Sequence, residues 1–184
     1  MGNIWVYFGT GDATDPTAAN AQERIYAVID TARTGTWEAS DLKAIDSDST
    51  DPSKHFDVNT DTATKHGWYE VMTSMGVKIL GDPFVAYGVL YFTTYAPSNS
   101  TNLCEKQGDN ALWGLGYTSG AGQFSGGADH IALPSGPPAN AQFSIDDTTG
   151  KGNVYIGTTP YDLAKPQTGG RSNLLYWRDS RVKP

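Results

Sequence analysis

The chain has one cysteine, Cys104, in 184 residues, so no disulfide can close within it. That thiol reads as an unpaired small apolar residue, with pairing to another chain or chemical reactivity as the alternatives. Basic residues are scarce as well: 13 Lys and Arg stand against 20 Asp and Glu, a formal charge of −7. Nucleic acid and anionic membrane surfaces both reward clustered cations, so neither is expected as a partner. No apolar run approaches the roughly 18 residues of a membrane-spanning helix. Histidine occurs only at 55, 66 and 130, without HExxH or any paired-ligand spacing, which argues against a zinc centre. Ser125 in GQFSGG lacks the flanks of a nucleophile elbow, and no GK[ST] follows the glycines of GTGDATDP. The start, MGNIWVYFGTG, lacks the basic and long apolar regions of a signal peptide. It enters a strand at once, and the expectation is a piece of a longer chain.

What is present in quantity is β pattern. WVYFGTGD at 5–12, VLYFTTYAP at 89–97 and NVYIGTTPYD at 153–162 share one form, a hydrophobic and aromatic run closed by Gly or Thr and a turn. Each is followed by a polar loop and a second β-rich run: RIYAVIDTARTG at 24–35, ALWGLGYTSG at 111–120 and NLLYWRDS at 173–180. Two such runs joined by Gly, Asn and Pro make an antiparallel hairpin. Alternation puts Val6 and Phe8 on one face and Trp5, Tyr7 and Gly9 on the other. Large side chains on both faces imply strands covered on both sides.

KHGWYEVM at 65–72 and KILGDPFVAY at 78–87 read as two further strands completing a four-stranded unit with the second pair. Four strands in a row, repeated, make an all-β partial β-propeller, with a β-sandwich as the alternative. The blade units fall near 1–35, 65–120 and 141–180, with long insertions near 36–64 and 121–140. Within the insertions only ASDLKAID at 39–46 has a helical or strand-like flavour, and AQFSID at 141–146 reads as a strand closing the second. Trp37 and Phe56 in the first insertion are either partner anchors or pins holding it to the sheets; pinning is the expectation.

GWYEVMTSMGVKILGDPFVAYGVLYFTTYAPSN, from Gly67 to Asn99, resembles the C-terminal propeller of the PilY-type proteins, type IV pilus tip-associated adhesins and assembly factors of bacteria. The resemblance continues through Cys104 and the Leu112, Trp113, Gly114, Leu115, Tyr117, Gly120 run. It extends to WVYFGTGD with RIYAVID and to the terminal LLYWRDS, and it fails in both insertions. It implies a non-catalytic fragment working in adhesion and pilus assembly at the cell surface, after export through the periplasm. The partners it implies are minor pilins or a host-surface ligand. Cut propeller edges would invite pairing with a second copy.

The family's calcium regulation resides in an Asp-rich, EF-hand-like loop. The best match here is DSDSTDPSKHFD, with Asp46, Asp48, Asp51 and Asp57. Its sixth position is Asp51 instead of the glycine that makes the turn, and its twelfth is Asp57 instead of a bidentate Glu. It reads as a solvated acidic loop, so no cofactor is expected in this fragment and calcium belongs to the intact family protein. Asn99–Ser100–Thr101 fits a glycosylation sequon. Two rival functions share the strand pattern: a quinoprotein-dehydrogenase-like propeller enzyme, for which the cysteine and blade count fall short, and a generic protein-binding scaffold.

Overall fold

A computed structural model describes residues 4–30, 36–98, 108–145 and 152–163. Cys104, the sequon at 99–101 and the NLLYWRDS run lie outside the described residues. The described residues are all-β, built as three small sheets, none of them closed. The first sheet holds β1 (Ile4–Gly9), β2 (Arg24–Asp30), β3 (Lys43–Ala44) and β4 (Gly67–Val71), in the order β1-β2-β4-β3. The middle sheet is a meander of β5 (Phe84–Ala86), β6 (Val89–Ala96), β7 (Gly108–Gly116) and β8 (His130–Gly136). The last holds β9 (Ala141–Ile145), β10 (Gly152–Ile156) and β11 (Thr159–Tyr161), with β10 central. All neighbouring strands are antiparallel except the short parallel pair β3–β4.

The expected hairpins β1–β2 and β6–β7 form, with Phe8 opposite Tyr26 and Phe92 opposite Trp113. Three other pairings differ from the sequence reading. GWYEV does not join the second hairpin; β4 pairs with β2, because Trp68, Glu70 and Met72 share the inward face of the first sheet with Ile25 and Ala27. The fourth strand of the middle sheet is instead β8, which lies within the stretch expected to be an insertion. NVYIGTTPYD is not one strand: Gly157, at φ 61°, turns the chain so that β10 pairs back onto β11. A comparable two-residue turn joins β5 to β6, where Tyr87 and Gly88 both have positive φ, the geometry whose twist matches a right-handed hairpin.

Alternation along β6 shows how the sheets stack. Leu90 and Phe92 pack with Ile25, Ile29, Trp68 and Met72 of the first sheet. Val89 and Tyr91, pointing the other way, pack with Val154 of the last sheet and Leu133. The middle sheet is therefore covered on both faces, which is why VLYFTT carries no polar stripe. The insertion 36–64 is stitched onto this stack: Ile45, Ser47 and Phe56 are buried, and the Phe56 N–H donates to Ser119 O at 2.9 Å. Phe56 is a pin, as expected.

One backbone position holds the first sheet together. Gly67 opens β4 at φ 132°, and a Cβ there would lie 2.0 Å from the carbonyl oxygen of Ala27 on β2. Gly67→Ala is expected to destabilise the chain by about 3 kcal/mol, since both the left-handed backbone and the strand contact are lost. Urea unfolding checks this; a cost under about 0.5 kcal/mol, the level of a neutral surface change, would mean that β2 and β4 are not in register here.

Candidate functional site

β1 was expected to be covered on both faces, and it is not. Trp5 and Tyr7 turn inward, against Phe56 and Tyr117. Ile4, Val6 and Phe8 remain 50%, 47% and 45% exposed. The outer face of the first sheet has no layer above it among the described residues, whereas the middle sheet is covered twice. The face is ordered by its aromatics. Phe8 stacks on Tyr26 at 5.0 Å, and Tyr26 lies 5.9 Å from Tyr69, one ring from each of three neighbouring strands. Arg24 ends the row, its guanidinium 5.4 Å from the Tyr69 ring and its Nη1 donating to the Tyr26 hydroxyl at 3.3 Å.

The insertion raises one wall beside this face. Trp37 stacks on His66 with ring centroids 3.7 Å apart. His66 is itself tied to two elements: its N–H donates to Asp41 O, and its carbonyl accepts from the Ile29 N–H of β2, both at 2.8 Å. Next to Trp37 the chain makes a single 3₁₀ turn over Ala39–Asp41, where the Asp41 carboxylate accepts the Glu38 N–H at 2.8 Å. The result is a groove of about 660 Å³ lined by Val6, Phe8, Tyr26, Val28, Trp37 and Leu42, with Thr10 at one end and Asp30 at the other. Among the described residues, the charged ones that line it are Asp30 and Glu38. Chemically it can hold apolar and aromatic groups.

A second constellation lies between the sheets, with His130 at its exposed end, and the sequence reading missed it. Glu70 of β4 accepts the Ser47 N–H at 3.0 Å, and Ser47 Oγ donates to Asp129 Oδ2 at 2.8 Å. Asp129 Oδ1 meets His130 Nδ1 at 2.7 Å, and His130 stacks on Trp113 at 4.7 Å. Burial, aided by the nearby charges of Asp46 and Asp129 and opposed by the Ser47 N–H, pushes the Glu70 carboxyl up to about 8. Serine, aspartate and histidine are all present, but in the wrong order for nucleophilic catalysis. The serine bonds the carboxylate instead of the imidazole that would take its proton. The cluster joins insertion, first sheet and middle sheet. A signal for it existed: alternation places an acid, Glu70, between Trp68 and Met72 on a buried face.

The other residues singled out in the sequence do not converge. Asp46, Asp48, Asp51 and Asp57 are exposed. Asp51 caps the turn over Pro52–Lys54 by accepting the Ser53 N–H at 2.9 Å, and Asp57 accepts the Asn59 N–H at 2.9 Å. These are the local loop bonds that Asp favours. His55, His66 and His130 stand apart, the first using its carbonyl to accept from Lys43 Nζ at 2.6 Å. Ser125 begins a short turn over Ser125–Gly127. Among the described residues no group of three His, Cys, Asp or Glu is arranged to hold a metal ion, and no helix is long and apolar enough to cross a membrane. No protein-family model, curated protein or solved structure matches the chain.

Proposed function

We propose that this chain is a non-catalytic binding module, part of the C-terminal β-propeller of a PilY-type, type IV pilus tip-associated protein. In this reading it acts outside the cell, after export through the periplasm, in adhesion and pilus assembly. Three things support it. The strand motifs resemble that family in order; open antiparallel sheets stacked face to face are the form that successive propeller blades take; and no described residue forms a layer over the aromatic face of the first sheet. That face carries the reading. A sheet that holds Phe8 and Tyr26, with Trp37 stacked on His66 beside it, loses little entropy on binding, which is what an adhesive or docking surface needs.

Purified chain passed over immobilised minor pilins and over host-surface proteins tests this. Saturable binding to a pilin or a host-surface protein, lost in Phe8→Ser, is the expected result. Capture of unrelated proteins alone would favour a generic propeller scaffold, whose support is the apolar groove without the pilus. Quinone-dependent dye reduction by the same preparation would instead replace the binding module with the quinoprotein-like enzyme.

A further inference from the structure

We propose that segment 45–56 of the insertion is a proton-controlled clasp, closed on the sheets while Glu70 carries its proton and released when Glu70 ionises. The inference goes beyond the binding-module reading and does not depend on it. It begins from Ser47, which is buried and bonded through all three of its polar groups. Its N–H donates to Glu70 of β4, its Oγ donates to Asp129, and its carbonyl accepts the Gly122 N–H at 3.0 Å. At one end of the segment the Ile45 N–H donates to Tyr69 O at 3.0 Å; at the other, the Phe56 N–H donates to Ser119 O. The segment is thus held at its two ends and, between them, at one serine set between two carboxyl groups.

The charges that act on Glu70 are of one sign. Asp46 acts from the segment itself and Asp129 from the stretch before β8. Among the described residues no cation pairs with Glu70 to offset them. Lys43 pairs with Asp61 at 2.7 Å, and Lys54 and His55 act on Asp51. Arg24 lies over Tyr69, on the opposite face of the sheet from Glu70. His130 meets Asp129 Oδ1, the oxygen that Ser47 does not use. Across from Glu70 on β2 stands Ile25, and the neighbouring titratable residue, Glu23, is another acid. A neutral Glu70 accepts the Ser47 N–H without repulsion; an ionised one puts three carboxylates around one serine with little water to screen them. Asp46 and Asp48 on either side of Ser47 are exposed, so the segment is the thin cover between this cluster and solvent, and lifting it lets water in. The closed clasp also leaves polar atoms unmet. Trp68 Nε1, in the core cluster that Ile45 and Phe56 share, and His55 Nε2, within the segment, are buried without a hydrogen-bond partner. Both gain water on opening, which makes this the part of the stack poised to release first.

Amide hydrogen exchange of the full chain, read by mass spectrometry and corrected for the intrinsic pH dependence of exchange, tests the inference. From about pH 5 to about pH 8 the amides of segment 45–56 are expected to lose protection about ten-fold or more, while those of β6 and β7 remain the slower set. In Glu70→Gln, whose fold is checked by circular dichroism melts, the segment is expected to keep at pH 8 the protection it has at pH 5. An equal loss in wild type and Glu70→Gln overturns the inference, because another group then drives the release. No loss in either also overturns it, because Glu70 then reaches water with the segment in place. Exchange of the segment and of β6 and β7 at one common protection at pH 8 overturns it as well, because the charge then acts on the whole fold at once. The readout uses no ligand, so its failure leaves the binding-module reading standing, and failure of that reading leaves the clasp standing.

Discussion

Replacing Phe92 by alanine is expected to lower the unfolding free energy by about 3–5 kcal/mol, the usual cost of emptying an aromatic site in a core. Phe92 is 1% exposed, in the central region of the middle sheet, which is covered on both faces. Its ring stacks on Trp113 at 5.6 Å, and Trp113 Nε1 donates to Thr94 Oγ1 at 2.9 Å. The truncation therefore leaves a void against the first sheet and loosens a cross-strand pair at once. Domains of this size hold about 5–15 kcal/mol in total, so about a fifth or more of the stability is at stake. Val6→Ala, on the open face, is expected to cost no more than about 0.5 kcal/mol. Urea unfolding followed by far-ultraviolet circular dichroism and by tryptophan fluorescence measures both. A Phe92→Ala cost near that of Val6→Ala would mean that the first and middle sheets do not share a core.

The second large effect is on pH dependence. In the folded chain the Glu70 carboxyl holds its proton up to about 8, against an ordinary 4.5. Between those values the folded state binds the proton and the unfolded state does not. The stability this group contributes is therefore fully present below about pH 4.5 and is lost as pH rises through 8. Ionised Glu70 would face Asp46 and Asp129 from the insertion and from the segment before β8, with only the Ser47 N–H donating to it. Glu70→Gln keeps an acceptor for that N–H and removes the charge. The variant is expected to match the wild type near pH 5 and to be about 2 kcal/mol more stable near pH 9. Urea midpoints across that range decide it; a difference that stays constant with pH would place Glu70 in water.

The contrast between Phe92 and Val6 marks how far the sequence can be read. VLYF is apolar without interruption, and both its faces are covered, as that pattern led one to expect. WVYFG has the same look, yet only its Trp5 and Tyr7 side is packed. Alternation says which residues share a face; it does not say whether another layer lies above that face. Likewise the β character of GWYEV was legible, but its partner was not. Strand pairing is chosen by matching buried faces across long separations, and local pattern favours the neighbour in sequence. β3 and β11 are too short to leave a period, and β8, HIALPSG, contains a proline that demotes it as a strand.

The groove was not legible: Trp37, an aromatic in a polar insertion, was expected to pin that insertion to the sheets, and Phe8, Val6 and Tyr26 looked like core. Of the inner cluster only the misplaced acid, Glu70, left a trace.

Composition and alternation by themselves determined an all-β chain, its two main hairpins and an acidic, histidine-poor surface, because these depend on residue type and on a two-residue period. Tertiary structure alone decided which sheet faces are packed, which strands pair across the insertions, and how Ser47, Glu70 and Asp129 come together. Those outcomes depend on which distant surfaces fit one another, and no local period encodes that.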